Sequence, residues 1–204
     1  MSRLLLVRHG ITEFNNTRRF AGYSDVGMST NGYRQVEMLG DRLVNEKIDA
    51  VSSSDLRRAL VTAEVISSGH KVNIVTCPEL REMNYGDAEG LTFQEISHLY
   101  PKVAESVANF SLRLEFPGGE SFERFIKRTS KFLDRLERYE PSGTMLIVSH
   151  SGPLKVLVCR LLGIDQSHWR QIRIDNASLS IVETYPRGVI LSLLNDTSHL
   201  READ

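Results

Sequence analysis

Residues 4–15 read Leu-Leu-Leu-Val-Arg-His-Gly-Ile-Thr-Glu-Phe-Asn, an apolar run that stops abruptly at an arginine, a histidine and a glycine. A short run of this kind near the N-terminus reads as a central strand of a parallel sheet, buried on both faces. Ligands of such sheets bind just beyond the carboxyl ends of the strands, so His9 stands where chemistry is expected. Gly10 lacks a side chain and is read as room for an incoming group. Arg8 supplies a planar fork that matches phosphate or carboxylate oxygens.

Outward from this stretch, strand-like runs and helical periodicities alternate, the pattern of a three-layer α/β/α sandwich with a mostly parallel central sheet and helices on both faces. Residues 30–47 carry Tyr33, Val36, Met38, Leu39 and Leu43 at helical intervals, and 49–53 form a second strand. The Ser-Ser-Ser-Asp run at 52–55 offers an N-cap to a helix reaching about residue 67, and 72–76 read as a third strand. Residues 78–119 break the rhythm with helical pieces at 92–99 and 101–109, an excursion of the kind that covers a site. A helix then starts near Ser121, a strand occupies 145–149, and an apolar helix follows over 154–162. Strands at 172–174, 178–184 and 189–194 complete the expected order within one domain, 1–204.

With 41% hydrophobic and 25% charged residues, the chain has the composition of an ordinary soluble domain. A formal net charge of −1 provides no basic excess for nucleic acid. The apolar start is too short to cross a membrane and lacks a signal-cleavage pattern, so no membrane partner and a cytoplasmic location are expected. Cys77 and Cys159 stand far apart without metal-ligand spacing, and the six histidines show no metal-binding motif. The sequence does not fix oligomeric state and leaves room for a homodimer.

His150 repeats the logic of His9: an apolar strand delivers it to a carboxyl end, with Gly152 and a helix opening behind it. The free N–H groups and partial positive charge of that helix N-terminus suit an anion, and Ser151 lies on the same turn. Arg58, in the first turn of the helix after the second strand, should reach this edge, whereas Arg57 points elsewhere. A cation there opposes the helix dipole, which a bound anion would explain. Beyond the third strand, Glu82 is placed to give a proton to a leaving oxygen, since a carboxyl group beside a bound anion holds its proton more tightly. Spacing alone leaves Glu79, Asp87 and Glu89 as equal competitors.

These residues fall into ordered motifs. Arg8, His9, Gly10, Thr12 and Asn15 form the first; Gly22, Asp25, Met28, Ser29, Gly32 and Gln35 the second. Ser54, Leu56, Arg58, Ala59, Thr62 and Ala63 make the third, followed by Leu80, Glu82, Gly86, Glu89 and Gly90, and by Ser149, His150 and Gly152. Over nearly its whole length the chain resembles the histidine phosphatase superfamily, whose fold is shared with cofactor-dependent phosphoglycerate mutases. The resemblance implies that His9 is the nucleophile, that Arg8, Arg58 and His150 hold the phosphoryl oxygens, and that Glu82 is the acid, with Gly10, Thr12, Asn15, Gly22 and Ser151 as candidate substrate contacts. It implies a phosphohistidine intermediate, a small phosphorylated metabolite as substrate, and neither metal nor cofactor.

Residues 116–121, Phe-Pro-Gly-Gly-Glu-Ser, resemble a segment of the family's small monophosphatases, among them the alpha-ribazole phosphate phosphatases of cobalamin synthesis. Glu120 and Ser121 are thus candidate substrate contacts, with helix capping by Ser121 the competing reading. Asn176, in Asp-Asn-Ala-Ser, is a further candidate. The mutases carry a longer, more basic insertion and follow the acid with Arg-His-Tyr-Gly, where this chain has Met83-Asn84-Tyr85-Gly86. A second phosphate is therefore expected to be poorly held, and hydrolysis to outrun phosphoryl return. A phosphoglycerate mutase and a non-catalytic phosphate-binding module are the alternatives. Ile11 stands where the family usually has Glu or Gln, and Met28-Ser29 replaces Leu-Thr.

Overall fold

The computed structural model describes residues 2–109, 111–139 and 143–200, so both ends of the expected domain lie outside the described residues. The apolar run forms β1 (Ser2–Arg8), in which Leu5 and Val7 face one side of the sheet and Leu4 and Leu6 the other, all of them buried. That two-sided burial is what a central strand requires. The other strands are β2 (Ala50–Ser53), β3 (Ile74–Thr76), β4 (Gly143–Ser149), β5 (Leu179–Tyr185) and β6 (Gly188–Asp196). They form one six-stranded sheet in the order β3-β2-β4-β1-β5-β6. The β3-β2, β2-β4 and β4-β1 pairs are parallel; β5 returns antiparallel to β1, and β6 to β5.

Of the helices, α1 (Glu13–Asn16) is a single turn at the end of β1, while α2 (Thr30–Leu43) and α3 (Arg57–Ser67) cover one face. Val36, Leu39, Ala59, Ala63 and Ile66 pack there against Leu5, Val7, Leu146 and Val148. On the other face lie α6 (Phe122–Tyr139) and α7 (Ser151–Leu162), bringing Phe132, Leu154, Leu157 and Val158 onto Leu4, Leu6 and Ile147. Each fully buried side chain of this size contributes about 1.5–3 kcal/mol. The excursion adds α4 (Phe93–Leu99) and α5 (Pro101–Ala108), and its residues form a third cluster with Phe116, Phe122 and Phe125.

Several boundaries differ from the expected ones. Residues 172–174 form no strand: one edge of β1 is taken by β4 and the other by β5, so this segment finds no ladder and instead offers its Ile174 carbonyl to Arg8. The N-cap of α3 is Leu56, without a side-chain cap bond, because the Ser54 hydroxyl is engaged with His150 and Leu56 N–H. Helix α2 ends at Leu43, short of residue 47, and α7 begins at Ser151, ahead of 154.

Candidate active site

Parallel pairing of β1 with β4 aligns Arg8 with Ser149, so both strands release their histidines at one edge. His9 N–H donates to the Ser149 carbonyl (3.1 Å), and the two imidazole centroids lie 5.0 Å apart. His9 is 4% exposed. Its Nδ1 lies 2.7 Å from the Gly10 carbonyl, and since a carbonyl only accepts, Nδ1 carries the proton. Burial, then Arg58 and then Arg8, push the imidazole well below the usual histidine range. A neutral ring protonated on Nδ1 leaves the Nε2 lone pair free, and His9 lines a cleft of about 300 Å³.

Arg8, Asn15, Glu82 and Ser151 line the same cleft. Arg8 is anchored by Nη1 to the Ile174 carbonyl (2.8 Å), while its buried Nε has no partner among the described residues. Asn15 Oδ1 accepts from Thr12 N–H and from Asn176 Nδ2, which fixes the amide with its own Nδ2 unbonded among the described residues. The Glu82 carboxylate accepts from Met83 N–H (2.9 Å) and from Gly152 N–H (3.0 Å) at the first turn of α7. That helix N-terminus, expected to meet a substrate anion, thus holds the Glu82 side chain with one of its N–H groups. A Cβ at Gly152 would collide with Glu82 Oε1, so the close approach of helix and carboxylate needs glycine there.

Arg58 and His150 are buried behind this cleft rather than lining it. Arg58 Nε donates to His150 Nδ1 (3.2 Å), and its terminal nitrogens donate to the carbonyls of Ser24, Ala21 and Gly22 at 2.8–2.9 Å. One Nη1 N–H is left without a partner among the described residues. Because an arginine only donates, His150 Nδ1 accepts, and the neutral ring carries its proton on Nε2, 2.9 Å from Ser54 Oγ. Burial and then Arg58 hold this imidazole well below the usual range. The arginine placed against the helix dipole is therefore held by a carbonyl loop at residues 21–24. Glu89 organises that loop: its carboxylate accepts from the N–H groups of Gly22, Tyr23, Ser24 and Tyr85 and from Ser24 Oγ.

Other expected contacts are used by the fold. A Cβ on Gly10 would lie 2.5 Å from the Gly32 carbonyl, so this glycine admits the start of α2 and not a ligand. Thr12 is fully buried and caps α1. Gly22 spends its N–H on Glu89 and its carbonyl on Arg58. Glu120 is paired through both oxygens with Arg128 and also accepts from Asn84 N–H. Ser121 Oγ accepts from Arg124 N–H at the start of α6, the capping alternative. Asn176 Nδ2 donates to the His9 carbonyl and to Asn15, beneath the cleft. Sequence reasoning missed Phe14, Phe20 and Tyr85, which form its aromatic wall, and Arg18 and Arg19 at its rim. The Arg-Arg pair three residues after Asn15 was the available signal.

Two histidines and two arginines gathered at parallel strand ends define the class, and the chain belongs to the histidine phosphatase superfamily: the model of its branch 1 matches residues 4–197. It is a phosphatase with the phosphoglycerate mutase-like α/β fold. Among its relatives, phosphoserine phosphatase 1 of Hydrogenobacter thermophilus is 31% identical over 202 residues, 99% of this chain and 96% of that protein. A probable phosphoglycerate mutase of Yersinia pestis is 32% identical over 205 residues, covering 98% and 95%. The crystal structure of the alpha-ribazole phosphatase from Shigella flexneri superposes with a TM-score of 0.90 at 29% identity, covering 96% of each chain. No described helix is long and apolar enough to cross a membrane.

Proposed function

We propose that the protein hydrolyses small phosphate monoesters through a phosphohistidine at His9, within a single domain whose excursion at residues 78–119 supplies Glu82 and Tyr85 to the site. The observation that carries this reading is the His9 tautomer: Nδ1 bonded to the Gly10 carbonyl, the ring held neutral, and Nε2 open to a cleft shared with Arg8 and Glu82. In the first step Nε2 attacks phosphorus in line, the P–O bond to the alcohol breaks, and Glu82 gives its proton to the leaving oxygen. Water then attacks the phosphohistidine, Glu82 takes its proton, and phosphate leaves with Nε2 restored. Arg8, whose Nε is unpartnered among the described residues, neutralises a phosphoryl oxygen, where fixed donors are worth most, and Arg58 adds its charge from behind the cleft. His150 acts by packing beside His9 and by bonding Arg58.

Substrates named for the relatives, phosphoserine and alpha-ribazole phosphate, are candidates for this chain. The test is phosphate release across a panel that includes both, with 3-phosphoglycerate incubated in parallel. Free phosphate as the product supports hydrolysis; conversion of 3-phosphoglycerate to its 2-phospho isomer without phosphate release would establish a mutase instead. Binding of the panel without turnover would leave a phosphate-binding module.

A further inference from the structure

The rim of the cleft carries more positive charge than one phosphoryl group uses. Arg8 and Arg58 serve the reacting phosphoryl group in the hydrolysis proposed above, on which this inference rests. Arg19 is committed elsewhere, donating from Nη1 to the Gly90 carbonyl (2.7 Å) and pairing with Glu95 (3.1 Å). Arg18 differs from both. It lines the cleft and is exposed, and its side chain has no hydrogen bond or ion pair among the described residues. Its backbone is left-handed, φ 54°, held between Arg18 N–H to the Asn15 carbonyl and Arg19 N–H to the Phe14 carbonyl. A side chain at such an angle costs about 1–2 kcal/mol, so the turn after α1 fixes Arg18 on the same rim as Phe14 and Asn15 against local preference. Among the described lining residues Glu82 is the only acid, and its oxygens are tied to Met83 and Gly152.

We propose that Arg18 is a specificity-determining residue that favours phosphate monoesters whose alcohol portion carries a second anionic group, a carboxylate or another phosphate. An ester with the phosphoryl group alone leaves the guanidinium in water. One with a second anion places that charge beside an unpaired cation on the same cleft wall, where a charge-assisted bond forms without breaking an existing one. This runs against the expectation, drawn from the short excursion, that a second phosphate would be poorly held.

The experiment compares kcat/KM within two matched pairs, 3-phosphoglycerate against glycerol 3-phosphate and fructose 1,6-bisphosphate against fructose 6-phosphate. It uses the full chain, Arg18→Gln and Arg18→Lys, with p-nitrophenyl phosphate as a reference ester. The expected result is a preference for the doubly anionic member of at least one pair, falling about tenfold in Arg18→Gln, chiefly through KM, and partly restored by Arg18→Lys. An unchanged ratio in Arg18→Gln for both pairs overturns the proposal, as does wild-type preference for the singly anionic member of both. If wild type cleaves p-nitrophenyl phosphate but neither doubly anionic ester, the Arg18 proposal fails and the phosphatase reading stands. If wild type cleaves no ester, the hydrolytic reading fails and takes this one with it.

Discussion

His9 and His150 are both buried as neutral rings, each below the ordinary histidine range through burial first and Arg58 second. That has a cost in acid. When the folded-state value lies below the unfolded one, the unfolded chain binds more protons between the two values, so stability falls as pH drops through about 6.5. The expected loss is up to about 1.4 kcal/mol per pH unit for each such ring. Urea unfolding of the wild type should therefore show a lower midpoint at pH 5 than at pH 7, with a smaller drop in His150→Gln. Equal drops in the two proteins would show that the His150 ring is not held neutral. At this scale Arg8, His9 and Glu82 were legible, because a strand end or a motif position fixes where each stands. Glu120 was not: nothing in its neighbours shows that Arg128, two turns along α6, reaches back to both of its oxygens.

The decisive element is α7. In its first turn Gly152 N–H closes on Glu82, and a Cβ there would meet both that carboxylate and the Phe125 ring. Gly152→Ala should improve helix propensity by up to about 1 kcal/mol while displacing the proton donor. We expect kcat/KM to fall about 100-fold for alkyl phosphates, and far less for p-nitrophenyl phosphate, whose leaving group needs little protonation. Equal losses on both substrates would mean that Gly152 shapes the cleft generally and not Glu82. The helix and its strand were readable from the apolar pattern ending in Ser149-His150. The partner of its N-terminus was not, because Glu82 arrives from a segment nearly seventy residues earlier whose path no local periodicity encodes. The same limit produced the false strand at 172–174, an apolar alternation that lies beside the Arg8 end of β1, whose two sides are already taken by β4 and β5.

At the level of the whole molecule, alternation of strands and helices was enough to expect a layered sheet with helices on both faces, and the two core clusters flanking β1 and β4 have that form. One reversed strand, β5, which makes the last two pairs antiparallel, was within the mostly parallel expectation. What the pattern could not supply was the third cluster, where the excursion packs Phe116 against Tyr85 and Phe20 and so builds the cleft wall. The fold thus carries His9 to one edge of the sheet and the excursion brings Glu82 to meet it. Whether His9 bonds to phosphorus is the claim on which everything else depends. Brief incubation with phosphorus-32-labelled substrate, denaturation in alkali and mapping of the label tests it directly. A base-stable, acid-labile label on the peptide containing His9, lost in His9→Ala together with turnover, is the predicted result; full turnover by His9→Ala, with no label on that peptide in the wild type, would contradict it.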